Sequence, residues 1–222
     1  AAAGITNDLK LIFLISAASF VIGFLFTIKL PNPIQEKELT PGTTKTVILK
    51  NKFLFLSLLL RHIGAAAVWT ILPIMIVEKL GGELYHISIV YVANTMAAFI
   101  LMNVMASKIH LSNITKFKIG VGCTTFVFIG LSVITEWWMA MPFMALVGAT
   151  WAFLFIGGNF HLMENNPRST STGIFSSTLS IATVIGPIIA GSIAFLFDYV
   201  AVMYFAVAII IVAFVVSLKI KK

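Results

Sequence analysis

The sequence predicts an all-α, polytopic membrane helix bundle. Seven runs of about twenty apolar residues follow one another in 222 residues, and 59% of the chain is apolar against 10% charged. The lysines between the runs fall on alternate sides. A bilayer's hydrocarbon core takes about twenty helical residues to cross, and in lipid only helices or closed barrels satisfy their own backbone polar groups. Barrel strands alternate apolar and polar residues, and these runs do not. A mean hydropathy of +1.04 leaves no room for a sizeable soluble domain.

The runs cover 9–28, 53–77, 86–107, 116–135, 138–162, 173–197 and 199–218. All eight carboxylates, Asp8, Glu36, Glu38, Glu78, Glu83, Glu136, Glu164 and Asp198, fall in connections or at run ends. The first run is followed by the longest connection, residues 30–52, where Pro31, Pro33, Pro41 and Gly42 stand among mixed charges. That composition is expected of a linker. Of the six later runs, the first three and the last three have opposite topology, the 3+3 inverted arrangement from which many secondary transporters are built.

Placing 30–52 in the cytoplasm puts Lys29, Lys37, Lys45, Lys50, Lys52, Lys108, Lys116, Lys118, Arg168, Lys219, Lys221 and Lys222 inside, with only Lys10 and Lys79 outside. The positive-inside rule then predicts a multi-pass protein of the cell membrane, its first residue outside and its C-terminus cytoplasmic. The net charge of +7 reflects topology and attraction to the anionic lipid bilayer, with no nucleic acid partner implied. The start at Ala1, without methionine or a cleavable signal pattern, is expected of a fragment of a longer protein.

Cys123, the only cysteine, lies within a run, so neither an intrachain disulfide nor a Cys-x-x-Cys site is expected. The glycosylation match at Asn113-Ile114-Thr115 falls on the cytoplasmic side. A Gly-rich Lys-Ser/Thr phosphate loop is absent. The expectation is a non-enzyme with no catalytic set, no metal ligands and no cofactors.

Arg61-His62-Ile63-Gly64, Trp69-Thr70-Ile71-Leu72-Pro73 and Glu78-Lys79-Leu80-Gly81-Gly82 together resemble the opening helix of a major facilitator superfamily half. Asn166-Pro167-Arg168-Ser169-Thr170-Ser171-Thr172-Gly173, followed by Ile185-Gly186-Pro187-Ile188-Ile189-Ala190-Gly191, is similar to that family's tenth loop and eleventh helix. The resemblance implies that residues 1–29 are the last helix of an N-terminal half, 30–52 the central cytoplasmic loop and 53–222 the C-terminal six-helix domain. It also implies alternating-access transport or efflux of a small-molecule solute, with the N-terminal half as a partner. The segment Ser107-Lys108-Ile109-His110-Leu111-Ser112-Asn113 departs from the family's Gly-x-x-x-Asp-Arg-x-Gly-Arg-Arg-like loop.

Arg61 and His62 lie roughly 12–14 Å from the cytoplasmic end of their helix, where charge must face protein or water. Adjacent helical residues diverge by about 100°, so the pair should point in different directions. His62, Ala66, Trp69 and Pro73 share the face assigned to a central cavity. Arg61 is open to a structural reading, bonded to neighbouring helix ends, and His62 to packing or to a proton or substrate role. Asn94 is either a cavity group or interhelical glue. The resemblance implies that the fifth run, with Thr150, Trp151 and Gly158, is a cavity wall or inner gate. In the sixth run, Gly173, Ser176, Ser180, Thr183 and Pro187 form one stripe, with Phe175, Leu179 and Ile189 assigned to the opposite side.

The substrate-path candidates are therefore His62, Trp69, Asn94, Thr150, Trp151 and Thr183, and the structural or gating candidates are Arg61, Gly158, Arg168, Gly186 and Pro187. Without a clear clamp for either charge, these groups favour a neutral or amphipathic solute. A seven-helix receptor is the first competing class. However, 199–218 lacks a Schiff-base lysine, and neither an Asp-Arg-Tyr-like sequence nor a disulfide pair is present. A transport-inactive scaffold is the second.

Overall fold

The computed structural model describes residues 2–28, 44–107, 109–164 and 166–220, all as helices and short turns. The helices are α1 (Ala2–Ile28), α2 (Thr44–Lys50), α3 (Lys52–Glu78), α4 (Leu84–Ser107), α5 (Asn113–Leu131), α6 (Ala140–Glu164), α7 (Arg168–Leu196) and α8 (Tyr199–Leu218). The chain divides into two compact units, Ala1–Glu38 and Leu39–Lys222. The first contains α1, with a shorter apolar stretch at Phe13–Ile28. In the second, six helices are long and apolar enough to cross a membrane. This makes the chain an all-α, polytopic membrane protein.

Boundaries move where local polar groups rule. α5 begins three residues before its apolar run because the Ser112 hydroxyl accepts from Thr115 N–H and caps it. α8 starts behind Asp198, whose carboxylate accepts from Ala201 N–H at 2.7 Å. α7 extends back to Arg168, so the polar Ser169–Thr172 stretch is helix rather than loop. The expected linker also carries structure: its residues 44–50 form α2, whose Val47 is buried beside Leu54 and Leu58. Residues 30–43 of that linker lie outside the described residues, as do Lys29, Lys108, Lys221 and Lys222. Gly81, at φ +66°, takes the left-handed turn that closes α3, and Gly82 N–H returns to Ile76 O at 2.8 Å.

Neighbours in space are not neighbours in sequence. α3 packs chiefly on α7 and α8, whereas α6 packs on α4 and α5, and α5 touches α8. Small residues make these contacts close. A methyl group on Gly120 would stand 2.7 Å from Thr150 O, and one on Gly157 would stand 2.6 Å from Asn113 O, so α5 and α6 meet backbone to backbone. Gly148 likewise admits the Asn94 carbonyl, and Gly64 lies against Ile209 and the Ala206 carbonyl.

The buried apolar side chains fall into two clusters at opposite ends of the bundle. One joins Ala65–Ile76 of α3 to Val127–Leu131, Ala140–Val147 and Val202–Ile210. The other joins Leu54–Leu58 to Ile114–Val121, Leu154, Phe175 and Ala213. Between them, on α3, α5 and α6, sit buried Arg61, Thr124, Thr125 and Thr150. These four form a polar layer between the clusters, while other buried polar groups such as Ser57, Asn94, Asn159 and Ser217 lie elsewhere in the bundle.

Backbone contact leaves no room for a larger residue, so Gly120→Val should lower the thermal midpoint of the purified protein, by overpacking worth about 1–3 kcal/mol. Gly191 is the control, because a methyl group added there would have nothing within 4 Å. Gly191→Ala should leave the midpoint unchanged in the same detergent.

Candidate functional site

A cavity of about 420 Å³ opens at the polar layer, between α3, α6 and α7. Arg61, His62, Ala65, Ala66, Trp69 and Thr70 line it from α3, Val147 and Trp151 from α6, and Leu179, Thr183 and Pro187 from α7. Its volume falls within the range of about 300–1,000 Å³ typical of small-molecule sites.

Arg61 is 2% exposed. Its Nε and Nη2 both donate to Thr124 Oγ1, at 3.4 and 3.2 Å, and the Thr124 hydroxyl in turn donates to Gly120 O at 2.6 Å. The guanidinium carbon stands 5.6 Å from the Trp151 ring centre, a cation–π contact. His62 packs its ring 5.5 Å from the same indole, and its buried Nδ1 has no hydrogen-bond partner among the described residues. Although the Arg61 and His62 backbone vectors diverge, both side chains border one cavity, contrary to the sequence expectation. The cavity is wide enough to span both directions, and the long arginine side chain reaches over Trp151.

Proline frees a backbone carbonyl on each of two helices that wall the cavity, α3 and α7. Pro73 cannot donate to the carbonyl four residues back, which belongs to Trp69. The Tyr91 hydroxyl of α4 fills that vacancy at 2.9 Å, while its ring meets Trp69 edge-on at 5.9 Å. In α7, Pro187 leaves the Thr183 carbonyl without its usual donor in the same way. The Thr183 hydroxyl instead donates to Leu179 O at 2.9 Å. Trp69 and Thr183 both remain exposed.

Of the residues singled out in the sequence, the structure gathers Arg61, His62, Trp69, Trp151, Thr183 and Pro187 on this cavity. Asn94 is elsewhere: it is buried in the α4–α6 contact and donates to Met144 O at 3.2 Å. Thr150 is buried with its hydroxyl turned back to Val147 O at 2.9 Å. Gly158 accommodates Phe175 and Phe117, and Gly186 accommodates Ala66 and the Ile63 carbonyl. Arg168 borders a separate cavity with Asn113, Phe160, Met163 and Glu164, where Asn113 Nδ2 donates to Glu164 Oε1 at 2.6 Å. The sequence pattern sets Leu179 on the side facing away from Thr183, but the structure puts both on the cavity. Residues four apart in a helix share a face.

Neither Thr124 nor the Tyr91 hydroxyl is recognisable from the sequence as a partner of this site. Counting four residues back from Pro73 to Trp69 locates a vacant carbonyl, but only the fold reveals which helix supplies its donor. No family model matches the chain, and no curated protein matches it significantly.

Tyr91→Phe should therefore cost about 0.5–1.5 kcal/mol in denaturant or thermal titrations. In a Pro73→Ala background, where residue 73 can donate to Trp69 O again, the same change should cost measurably less. Thr124→Val, which removes the acceptor of a buried charge, should cost about 1–3 kcal/mol. In an Arg61→Met background most of that loss should disappear, as a double-mutant cycle would register.

Proposed function

We propose that this chain forms the working half of a secondary or facilitative transporter, carrying a small solute across the membrane by alternating access without transforming it. The main support is the pairing of its helices. Exchange α3 with α6, α4 with α7 and α5 with α8, and the most extensive contacts are preserved: α3–α8 becomes α6–α5, α3–α7 becomes α6–α4, and α5–α8 maps onto itself, whereas the smaller α7–α8 contact has no α4–α5 counterpart of similar extent. Two three-helix units of opposite topology, related by an in-plane axis, have this property, and they place solute sites near the midplane at the repeat interface. α4 and α7, exchange partners, are also the least buried of the six long helices.

The cavity adds to this reading. It lies at the polar layer, its α7 wall carries the exposed hydroxyl of Thr183, and Ser176 and Ser180 are exposed further along the same helix. Ser180 and Thr183 bond to carbonyls four residues back, so this face can meet water, lipid or another helix without stranding a donor. In this reading, the exposed faces of α4 and α7 meet a second half of the transporter. The solute path runs between the halves, with the C-terminal lysines cytoplasmic and the protein in the cell membrane. The resemblance to the major facilitator superfamily points the same way.

Sided labelling tests this. In a Cys123→Ser background, Thr183→Cys in reconstituted vesicles should react with a membrane-impermeant maleimide from either face, with solute changing the ratio of the two rates. Ile211→Cys, on an exposed apolar position near the middle of α8, should stay unreactive. Reaction of Thr183→Cys from one face alone under every condition would instead fit a scaffold and would refute the transporter reading.

A further inference from the structure

The cavity holds a buried positive charge that has no carboxylate partner among the described residues. Among the described residues no carboxylate lies within 4 Å of Arg61, and Glu164, whose carboxylate stands 3.8 Å from His161 Nδ1, is on another part of α6. Both donor bonds from the guanidinium end on one neutral hydroxyl, that of Thr124, although the group carries five N–H donors in a planar fork. The nearest other compensation is the Trp151 face. Charged groups at membrane depth ordinarily pair or face a water-filled cavity. Here the charge borders a cavity large enough for a small molecule.

The surroundings narrow the ligand. Trp69, Trp151 and Leu179 give the cavity flat and apolar walls, while Thr183 and His62 supply the polar contacts on its other faces. His62 Nδ1, buried and unpartnered among the described residues, belongs to the adjacent cavity-lining residue of α3. Arginine's fork matches the two oxygens of a carboxylate.

We propose that the cavity binds a soluble organic monoanion, its carboxylate held by Arg61 and its aromatic or aliphatic body lying between Trp69, Trp151 and Leu179. The cavity thereby takes on a charge preference that residue types alone did not disclose. A lipid headgroup fits less well, because Arg61 lies about 13 Å along α3 from its start at Lys52, well below the interface. The proposal assigns a substrate class to the transport path described above, and equilibrium binding measures it separately from transport.

Thermal-shift titration of the purified full chain with 2-naphthoate, 2-naphthamide and 2-naphthylmethylamine compares one ring system carrying negative, neutral and positive groups. Only the naphthoate should raise the midpoint. Arg61→Met should weaken its binding by about tenfold or more, with Arg61→Lys in between. If Arg61→Met does not fold, the comparison of the three probes on the unaltered protein still decides. Equal or stronger stabilisation by the amide or the amine, or no stabilisation by naphthoate, would overturn the proposal. So would unchanged naphthoate binding in a folded Arg61→Met variant. In nanodiscs, naphthoate binding should persist when phosphatidylglycerol replaces part of the phosphatidylcholine, and its loss would assign the site to anionic lipid instead. Naphthoate binding without saturable uptake by reconstituted vesicles would leave the anion site standing while removing the transport reading.

Discussion

A guanidinium charge inside a helical bundle in lipid constrains much of what surrounds it. Arg61 sits at the junction of the two apolar clusters, and the groups that tolerate it are drawn from three helices: Thr124 from α5 as hydrogen-bond acceptor, Trp151 from α6 as an electron-rich face, and His62 beside it on α3. An ionised side chain near the middle of a spanning helix costs about 2.5–3.5 kcal/mol on insertion scales. A bundle that buries it in spite of that cost must hold α3, α5 and α6 in register at this depth. The cavity lies on the side of this cluster toward α7.

Close backbone approach supplies the rigidity that such a cluster requires. Lipid tails are as apolar as leucine, so helices in a membrane associate through packing and interhelical hydrogen bonds rather than hydrophobic exclusion. Gly120 and Gly157 bring α5 onto α6, Gly148 brings α6 onto α4, and Gly64 and Gly186 bring α8 and α7 onto α3. Buried hydrogen bonds follow the same seams: Ser57 donates to Ala213 O at 2.8 Å between α3 and α8, and Asn94 donates to Met144 O between α4 and α6. The glycines set the distances, and the polar side chains hold the register.

Much of the fold is legible in the sequence because membrane crossing imposes a simple rule of length and polarity. The six long helices lie where apolar runs exceed about eighteen residues, but their ends shift by up to five residues: Ser112 extends α5 at its start, α5 stops at Leu131 short of the run's end at 135, and α7 begins at Arg168. The α2 helix is not legible in this way, because seven residues, mostly polar, offer too short a pattern. For the site, arithmetic places Trp69 and His62 on one helix face. It cannot place Thr124, whose importance arises from the Arg61 side chain of a helix 63 residues away in sequence. The proline carbonyls fall in between: position alone identifies the vacancy at Trp69, and tertiary structure supplies Tyr91.

The order of helix contacts has a consequence for biosynthesis. α3, which carries the buried arginine, makes little contact with α4, its successor in the chain, and rests mainly on α7 and α8. The ribosome delivers those two helices after α3, α4, α5 and α6. During translation, then, the arginine-bearing segment enters the bilayer before most of its final neighbours exist, and it must be sheltered in the translocon, by lipid-headgroup snorkelling or by a chaperone until Leu218 has emerged. A nascent chain stalled before α7 would present a lone membrane charge to quality control, so the synthesis of α7 and α8 and the concealment of Arg61 are coupled events.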